Sequence, residues 1–328
     1  MFGRKIFSLR NRVKRKKTTK SGMKITSSYV FSGIFLTLLI IFIALITPVV
    51  NAMIRFEPNT DFGNQDAQKW DYSQKFKVLL VGLDRKSEEH VFVDAVALLV
   101  VDPKYDQVGI VNINPDIMVN DSIDETQISL RRGLIDNKNG NIVGLAEELL
   151  ATKIDRYIYV DEVFFDKMSR YTKTIHLDNS SDVEDLDIYI NDSSAKWQKG
   201  RHSIQSGQIM DYVRSDNDGE DKQLERQLEL YKRYVQSIDV SKLILGTTEV
   251  LRIIEDEVNT NLTRNEIYYL YYFLRRVPPT SYSYAITKSD ILSEVGRAGV
   301  YNVYRFNEAQ LDYNTNSILE NKQTVFEQ

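Results

Sequence analysis

The 328-residue chain contains no cysteine and only three histidines, His90, His176 and His202. Without cysteine it has no disulfide, no thiolate metal site and no cysteine nucleophile. Three scattered histidines do not favour a metal site with several histidine ligands, and no Gly-x-Ser-x-Gly segment indicates a serine hydrolase of the α/β-hydrolase type. Apolar residues make up 42% of the chain and charged residues 27%, which is typical of a globular protein rather than a disordered one.

Acidic residues are absent from the first 56 positions, which hold eleven of the 42 basic residues. The remaining chain therefore has 31 bases against all 46 acids, so a basic tail precedes an acidic body. Charged residues are also absent between Lys24 and Arg55, and residues 29–53 are mostly apolar. Because about 20 apolar residues span the hydrocarbon core of a bilayer, the sequence predicts one transmembrane helix over 29–53 after a basic tail, 1–28.

The ten bases before the apolar run predict the orientation of this anchor. They favour a single-pass protein of a bacterial cell membrane with a cytoplasmic amino terminus and an extracytoplasmic body. A basic tail can also bind nucleic acid, but next to a span it is better explained by orientation and anionic membrane lipid, so we expect no nucleic-acid partner. A cleavable signal peptide is the alternative, because Val50-Asn51-Ala52 resembles a cleavage site. The length of the apolar run favours an uncleaved signal-anchor.

The body is predicted to form one domain. Residues 54–75 are polar and aperiodic and predict a stalk, followed by a domain over 76–318 and a tail over 319–328. Continuous apolar runs at 76–82, 95–101 and 108–113 predict buried strands, and the second and third suggest an antiparallel hairpin. Helical spacing appears at 141–150 and 223–238, with a strand at 154–160 between them. This interleaving predicts an α/β fold, an α–β–α layered sandwich with a central mixed sheet.

Two acids flank the loop between the first two predicted strands. Asp84 ends the first strand and Asp94 precedes the second. If the strands are antiparallel neighbours, both carboxylates lie at one edge of the sheet, where they could hold Mg²⁺ against a phosphate. The alternative is that each acid only begins or ends a turn.

Two arginines form a second candidate cluster. Arg214 follows Tyr212-Val213, and Arg226 lies in the predicted helix that comes after an acidic loop. Because a guanidinium group binds phosphate oxygens in a planar fork, the two could converge on one anion. The alternative is that both form surface ion pairs with the acids between them.

The order of these features resembles the LytR–CpsA–Psr family of bacterial cell-envelope proteins over about residues 76–310. The motifs that carry the resemblance are Gly82-Leu83-Asp84, Asp94 before the second strand, Asp102-Pro103-Lys104, Ile154-Asp155-Arg156-Tyr157-Ile158-Tyr159-Val160-Asp161, Tyr212-Val213-Arg214 and Leu224-Glu225-Arg226-Gln227. The resemblance implies an α–β–α sandwich whose pocket receives a polyprenyl diphosphate. It also implies transfer of a glycopolymer, such as teichoic acid or capsule, from that lipid to peptidoglycan.

The resemblance assigns roles to particular residues. Asp84 and Asp94 match the family's acids, as catalytic residues and ligands of Mg²⁺, which neutralises the diphosphate together with arginines. Arg214 and Arg226 match arginines that bind the lipid phosphate. Arg85 and Lys86 are further candidates for that role, from the loop after the first strand.

Several expected arginines are missing from this chain. The residues that stand in their places are Phe92, Pro115, Asp216 and Gln223. Loss of fixed positive charge removes electrostatic stabilisation from a phosphoryl-transfer site, although Arg131 or Arg132 could reach the site from another loop. Two functions therefore stay open: a glycopolymer ligase or phosphotransferase of reduced activity, or a non-catalytic relative that binds envelope precursors as a scaffold or regulator. A sensor coupled to transcription is not favoured, because the short tail holds no DNA-binding domain.

Overall fold

The computed structural model describes residues 47, 50–56, 70–84, 91–121, 126–136, 141–179, 200–204, 208–214, 220–286, 293–298, 301–305 and 318. The chain divides into two units, Met1–Pro48 and Val49–Gln328, and the second contains the folded domain. The predicted tails, 1–28 and 319–328, lie outside the described residues, as do most of the predicted anchor and stalk. Among the described residues, no helix combines the length and hydropathy needed to cross a bilayer.

Twelve strands fall within the described residues. They are β1 (Phe76–Asp84), β2 (Phe92–Asp102), β3 (Gln107–Ile113), β4 (Ile117–Asp121), β5 (Thr126–Ser129), β6 (Arg156–Asp161), β7 (Ile175–Asn179), β8 (Gly200–Ile204), β9 (Asn259–Thr260), β10 (Tyr282–Ile286), β11 (Ser293–Ala298) and β12 (Tyr301–Arg305). Six of them form the central sheet in the order β10-β3-β2-β1-β6-β9. Its β1–β2 and β2–β3 pairs are antiparallel and its β1–β6 pair is parallel, so the sheet is mixed, as predicted.

Residues 50–55 are helical, and eight α-helices lie between Gly133 and Arg276 of the described chain. They are α1 (Gly133–Asp136), α2 (Ile142–Leu150), α3 (Glu162–Met168), α4 (Ile209–Arg214), α5 (Glu220–Ser237), α6 (Val240–Leu245), α7 (Thr247–Glu257) and α8 (Arg264–Arg276). The predicted helices at 141–150 and 223–238 correspond to α2 and α5. A smaller sheet has the order β11-β12-β4-β5, and β7 pairs with β8.

The central strands are apolar on both faces because helices cover both. Leu79 and Val81 of β1 pack into a cluster that includes Ile142 and Leu145 of α2. Val78, which precedes Leu79 in sequence, points to the opposite face and joins a cluster that includes side chains of α5 and α8. Alternate residues of a strand thus belong to two hydrophobic cores, since successive side chains point to opposite faces of the sheet. This arrangement confirms the predicted α–β–α layers.

Helix α8 is tied to the sheet at its first turn. Thr263 and Glu266 form a capping box, which satisfies two of the free backbone donors at the start of the helix. The Glu266 carboxylate also accepts two hydrogen bonds from the Arg156 guanidinium of β6, at 2.7 and 3.0 Å, and both side chains are 2% exposed. The sequence that precedes β1 also packs on this side, because Trp70 stacks on Phe76 with ring centroids 4.0 Å apart.

Candidate functional site

Asp94 occupies an irregular position in β2. Along the antiparallel β1–β2 pair, Gly82 lies opposite Ala95 but Leu83 lies opposite Val93, so Asp94 is the extra residue of a β-bulge. A bulge bends its strand and redirects a side chain, and bulges are frequent beside active sites. Asp84, the last residue of β1, lies opposite Phe92. The two acids therefore lie at one end of the β1–β2 pair, as the sequence predicted. The prediction that Asp94 precedes the second strand was wrong, because β2 begins at Phe92 and includes Asp94.

Arg214 connects these acids to a third carboxylate. From the last position of α4, its Nε donates to Asp94 Oδ2 at 2.7 Å and its Nη1 donates to Glu162 Oε2 at 2.9 Å. Its Nη2 lies 3.4 Å from Asp84 Oδ1. Burial works against the charge of Arg214, but Asp94 and Asp84 outweigh it and raise the pKa of the guanidinium. Arg214 is therefore the centre of an acidic cluster and not a surface ion pair.

Arg131 brings a second guanidinium group to Asp94. This residue lies in a short 3-10 helix, Leu130–Arg132, and its backbone N–H donates to the carbonyl of Pro115. Its Nε and Nη2 donate to the two oxygens of Asp116, at 2.6 and 2.9 Å, and its Nη1 lies 3.4 Å from Asp94 Oδ1. Arg131 thus supplies a fixed positive charge to the region where Pro115 stands in place of an expected arginine.

Among the residues that the structure describes, the cluster holds more negative than positive groups. Its four carboxylates and two guanidinium groups belong to Asp84, Asp94, Asp116, Glu162, Arg131 and Arg214. Burial raises the pKa of the Asp94 carboxyl, and the two arginines offset this only in part. With two more acids than bases, the cluster has the charge to receive a cation, or an anion that arrives with one.

Helix α5 is fixed to the cluster by its first turns. Gln223, which stands where an arginine was expected, donates from Nε2 to the carbonyl of Arg214 at 3.0 Å. Asn112 of β3 donates from Nδ2 to the carbonyl of Leu224 and to Gln227 Oε1. These bonds set the position of α5 against the sheet, so the side chains that come later along α5 are placed with respect to Arg214.

Arg226 has a different environment from Arg214. It is 6% exposed, its Nε donates to the carbonyl of Tyr212 at 3.1 Å, and its guanidinium carbon lies 5.9 Å from the centroid of the Tyr212 ring. In this geometry it supports α4, on which Arg214 is carried. Arg85, Lys86 and Asp216 lie outside the described residues, so their predicted roles stay predictions.

An apolar cavity of ≈ 200 Å³ begins at the cluster. Asp94, Arg214 and Gly82 line one part of it. The wall contributed by α5 consists of Gln227, Leu230, Tyr231, Lys232, Tyr234 and Val235. The remaining wall is formed mainly by strand residues of the central sheet and by Phe164 and Phe165 of α3. Most of the lining is hydrocarbon or aromatic. Asp94 and Arg214 form an acid–arginine pair at one part of it.

Sequence reasoning missed two members of the cluster. Glu162 follows β6, which runs parallel to β1, and the carboxyl ends of parallel neighbours meet at one edge of a sheet. That rule would have placed Glu162 beside Asp84. Asp116 carried no comparable signal, because its role depends on Arg131, fifteen positions away in the sequence.

A metal ion at this site would have to be bound jointly by the protein's carboxylates and by the phosphate of a bound substrate. Within the described ranges, no group of three or more Asp, Glu, His or Cys side chains is arranged to hold a metal. Mg²⁺ is usually bound by one or two carboxylates together with substrate phosphates. Asp84 and Asp94, which converge on one guanidinium group, fit that requirement.

Fold and site define an α/β domain with an acid–arginine cluster at the edge of an apolar cavity. The chain belongs to the LytR_cpsA_psr family, whose model matches residues 50–318. No curated protein sequence matches it.

Solved structures share the fold at low sequence identity. B. subtilis TagV superposes with a TM-score of 0.62 at 17% identity, covering 76% of this chain and 97% of that one. The protein gbs0355 from Streptococcus agalactiae gives 0.64 at 16% identity, covering 78% and 91%. TagT bound to LI-WTA gives 0.60 at 17% identity, covering 80% and 98%. At these identities the likeness establishes the fold alone.

Proposed function

We propose that this protein binds a polyprenyl-phosphate-linked glycopolymer and takes part in its attachment to peptidoglycan at the outer face of a bacterial cell membrane. Membership of the LytR_cpsA_psr family supports this proposal, as does the shared fold with TagT, a protein whose structure has been solved with LI-WTA bound. The predicted anchor over 29–53 would keep the domain next to its membrane lipid substrate.

The observation that carries the proposal is the placement of Asp94 and Arg214 at one part of an otherwise largely apolar cavity. A polyprenyl phosphate likewise combines a charged part and an apolar part, with a phosphate at one end of a long hydrocarbon chain. The chain would leave water for the apolar lining, which is favourable by about 25 cal/mol per Å² of buried apolar surface. The phosphate would remain near Arg214, where a guanidinium group can donate to its oxygens.

The cluster sets a condition on phosphate binding. Arg214 already faces Asp84, Asp94 and Glu162, so a phosphate has to replace at least one of these carboxylates as its partner. Mg²⁺ held by Asp84 and Asp94 would neutralise both the carboxylates and the phosphate oxygens. Asp94 would contribute to transfer by holding this ion, since a nearby cation favours the charged form of its carboxylate and makes it a weaker base.

A second candidate function, binding without turnover, is favoured by one feature of the site. Phe92, Pro115 and Gln223 stand where the family resemblance leads us to expect arginines. Within the described part of the chain, the cluster holds more carboxylates than guanidinium groups. Phosphoryl transfer depends on positive groups placed around the transition state. In this second role the protein holds the lipid-linked precursor for other enzymes.

Transfer and binding can be measured in one experiment. The full chain in lipid nanodiscs would receive a polyprenyl-diphosphate-linked glycopolymer, peptidoglycan fragments and Mg²⁺. Transfer that is lost in Asp94→Asn but kept in the exposed control Arg170→Met supports the transferase. Binding of the lipid without transfer supports the second function. Absence of both binding and transfer contradicts the proposal as a whole.

The orientation of the chain is tested separately. Ten bases precede the predicted anchor and the body is acidic, so we expect protease added to intact protoplasts to digest the body and spare the basic tail. Digestion of the body only after lysis would contradict an extracytoplasmic location.

A further inference from the structure

Helix α6 presents apolar side chains to solvent. Val240 is 40% exposed, Ile244 61% and Leu245 89%. Leu243 of the same helix points the other way and packs against a cluster built on Met168, as Phe164 does. The helix is therefore attached to the domain by one side while its other side is an uncovered apolar surface.

The exposure of α6 is fixed by the fold. Asp239 caps the helix by accepting hydrogen bonds from the backbone N–H groups of Ser241 and Lys242. The backbone N–H of Asp239 donates to the carbonyl of Tyr171 at 2.8 Å. At the other end Gly246 lies against the Tyr171 ring so closely that a Cβ there would be 2.2 Å from a ring carbon. Both ends of α6 are thus held on Tyr171.

The apolar cavity runs from the charged cluster towards α6. Along α5, Gln223 bonds to Arg214 at the cluster, whereas Tyr234 and Val235 line the cavity in the last turns of the helix. Twelve residues of helix separate Gln223 from Val235, a rise of about 18 Å. Helix α6 begins five residues after Val235. The end of α5 remote from the charged cluster is therefore the end from which α6 starts.

Helix α8 connects this end of α5 to the segment next to the predicted anchor. Near its carboxyl end, Arg275 Nη1 lies 3.2 to 3.5 Å from the carbonyl oxygens of residues 235, 236 and 238, the end of α5. At its first residue, Arg264 donates to the carbonyls of Met53 and Ile54. These two arginines are eleven residues apart, about 16 Å along the helix. Ile54 is itself 65% exposed.

We propose that the exposed face of α6, formed by Val240, Ile244 and Leu245, contacts the surface of the lipid bilayer. A bilayer offers an apolar layer for Ile244 and Leu245 and anionic headgroups for Lys242, as in helices that lie in the interface. The short distance along α8 to Ile54 supports a bilayer as the occupant, because the predicted anchor ends at Met53, the residue before it. Where it concerns the lipid tail, the inference rests on the proposed function: a tail leaving the bilayer at α6 would have an apolar route to the cavity past Phe164.

The absence of cysteine allows a direct test on the full chain. Leu245→Cys, labelled with an environment-sensitive fluorophore, would be reconstituted in nanodiscs of phosphatidylcholine and phosphatidylglycerol. We expect blue-shifted emission and quenching by doxyl groups on the lipid tails. The matched control is Gln127→Cys, on an exposed residue of β5 four positions before Arg131, which we expect to stay in water and unquenched.

Three results would overturn the bilayer contact. Emission from position 245 that is typical of water and not quenched by doxyl lipid means that α6 does not touch the membrane. Equal quenching at 127 and 245 means that the domain has no such orientation. A blue shift without doxyl quenching, together with a doubled mass, assigns the surface to a second copy of the chain.

A second measurement separates this inference from the proposed function. In vesicles, Ile244→Ser with Leu245→Ser should lower binding of a long-chain polyprenyl phosphate at least threefold. Binding of a short-chain, water-soluble analogue should be unchanged, because the charged cluster is intact. If neither ligand binds the unaltered chain, the proposed function fails while the fluorescence result still decides the membrane contact. Equal binding of the long-chain lipid by both proteins contradicts a role of α6 in its uptake.

Discussion

Arg131 donates to both carboxylate oxygens of Asp116, through Nε at 2.6 Å and Nη2 at 2.9 Å. Both side chains are less than a tenth exposed. A guanidinium group bound at two points keeps one orientation, and here the orientation leaves Nη1 3.4 Å from Asp94 Oδ1. The pair therefore fixes a positive charge beside Asp94 of the candidate site, from a 3-10 helix that lies outside the family motifs recognised in the sequence.

The buried pair should be costly to break from one side. We expect Arg131→Met to lower the free energy of unfolding by about 3 kcal/mol, because it leaves the Asp116 carboxylate buried without its partner. Replacing both residues, as Arg131→Met with Asp116→Leu, should recover most of that loss. Urea denaturation of the purified chain measures each value, with the exposed Arg170→Met as control, expected within about 0.5 kcal/mol of the unaltered protein. An equal loss in the single and double variants would contradict the pairing.

The sequence predicted four strands of the central sheet, β1, β2, β3 and β6, and the meeting of Asp84 and Asp94, because these features follow from local patterns. Continuous apolar runs identify strands that are buried on both faces, and an antiparallel pair brings the end of one strand to the start of the next. The bulge that redirects Asp94 was not predictable in this way. It depends on a shift of one residue between Gly82 and Leu83, which leaves no mark on the apolar pattern.

The arginines show a second limit of sequence reasoning. Arg214 and Arg226 both matched family motifs, and the same role, binding of the lipid phosphate, was predicted for both. The structure places Arg214 among three carboxylates and Arg226 on the carbonyl of Tyr212. Which direction a long side chain takes is decided by the packing of α4 against α5, a tertiary contact that spacing along the chain does not encode.

Arg214 and Arg226 should therefore respond differently to the same substitution. Arg214→Gln should weaken polyprenyl phosphate binding about tenfold or more, since a charge-assisted hydrogen bond is worth about 1.5–3 kcal/mol. Arg226→Gln should mainly lower the free energy of unfolding, by about 1–3 kcal/mol, because it removes the buried hydrogen bond from Arg226 to the Tyr212 carbonyl. Calorimetric titration and urea denaturation on both variants separate the two effects. Loss of binding in a fully folded Arg226→Gln protein would show that Arg226 touches the lipid phosphate.

Asp94 should make stability depend on pH. Burial raises the pKa of its carboxyl in the folded protein, so above the unfolded-state value of about 3.9 the folded chain binds more protons than the unfolded chain. The stability that protonated Asp94 contributes is complete below that value and is lost as pH rises through the higher folded pKa.

Asp94→Asn removes this titrating group, so the variant can be compared with the unaltered chain. The free energy of unfolding should fall more steeply with rising pH in the unaltered chain than in Asp94→Asn, over the range from about 4 to the folded pKa. Urea denaturation at successive pH values, with EDTA present to remove divalent cations, measures both slopes. Parallel slopes would mean that the pKa of Asp94 is not raised by folding.

The cavity can be filled at the end away from the charged cluster. Val235 lines it in the last turn of α5, about 18 Å along the helix from Gln223. Val235→Phe adds several carbon atoms to a cavity of ≈ 200 Å³. It should therefore compete with the hydrocarbon tail of a bound lipid while the phosphate end of the site stays unchanged. We expect the affinity for a long-chain polyprenyl phosphate to fall about tenfold, which corresponds to about 1.4 kcal/mol, and the affinity for a short-chain analogue to stay the same.

Val163→Phe introduces the same change on the exposed side of α3, where the valine is 41% exposed, and should alter neither affinity. Because overpacking can cost about 1–3 kcal/mol of stability, both variants should first be shown to be folded by urea denaturation. If Val235→Phe binds the long and short lipids as the unaltered chain does, the tail does not occupy this cavity.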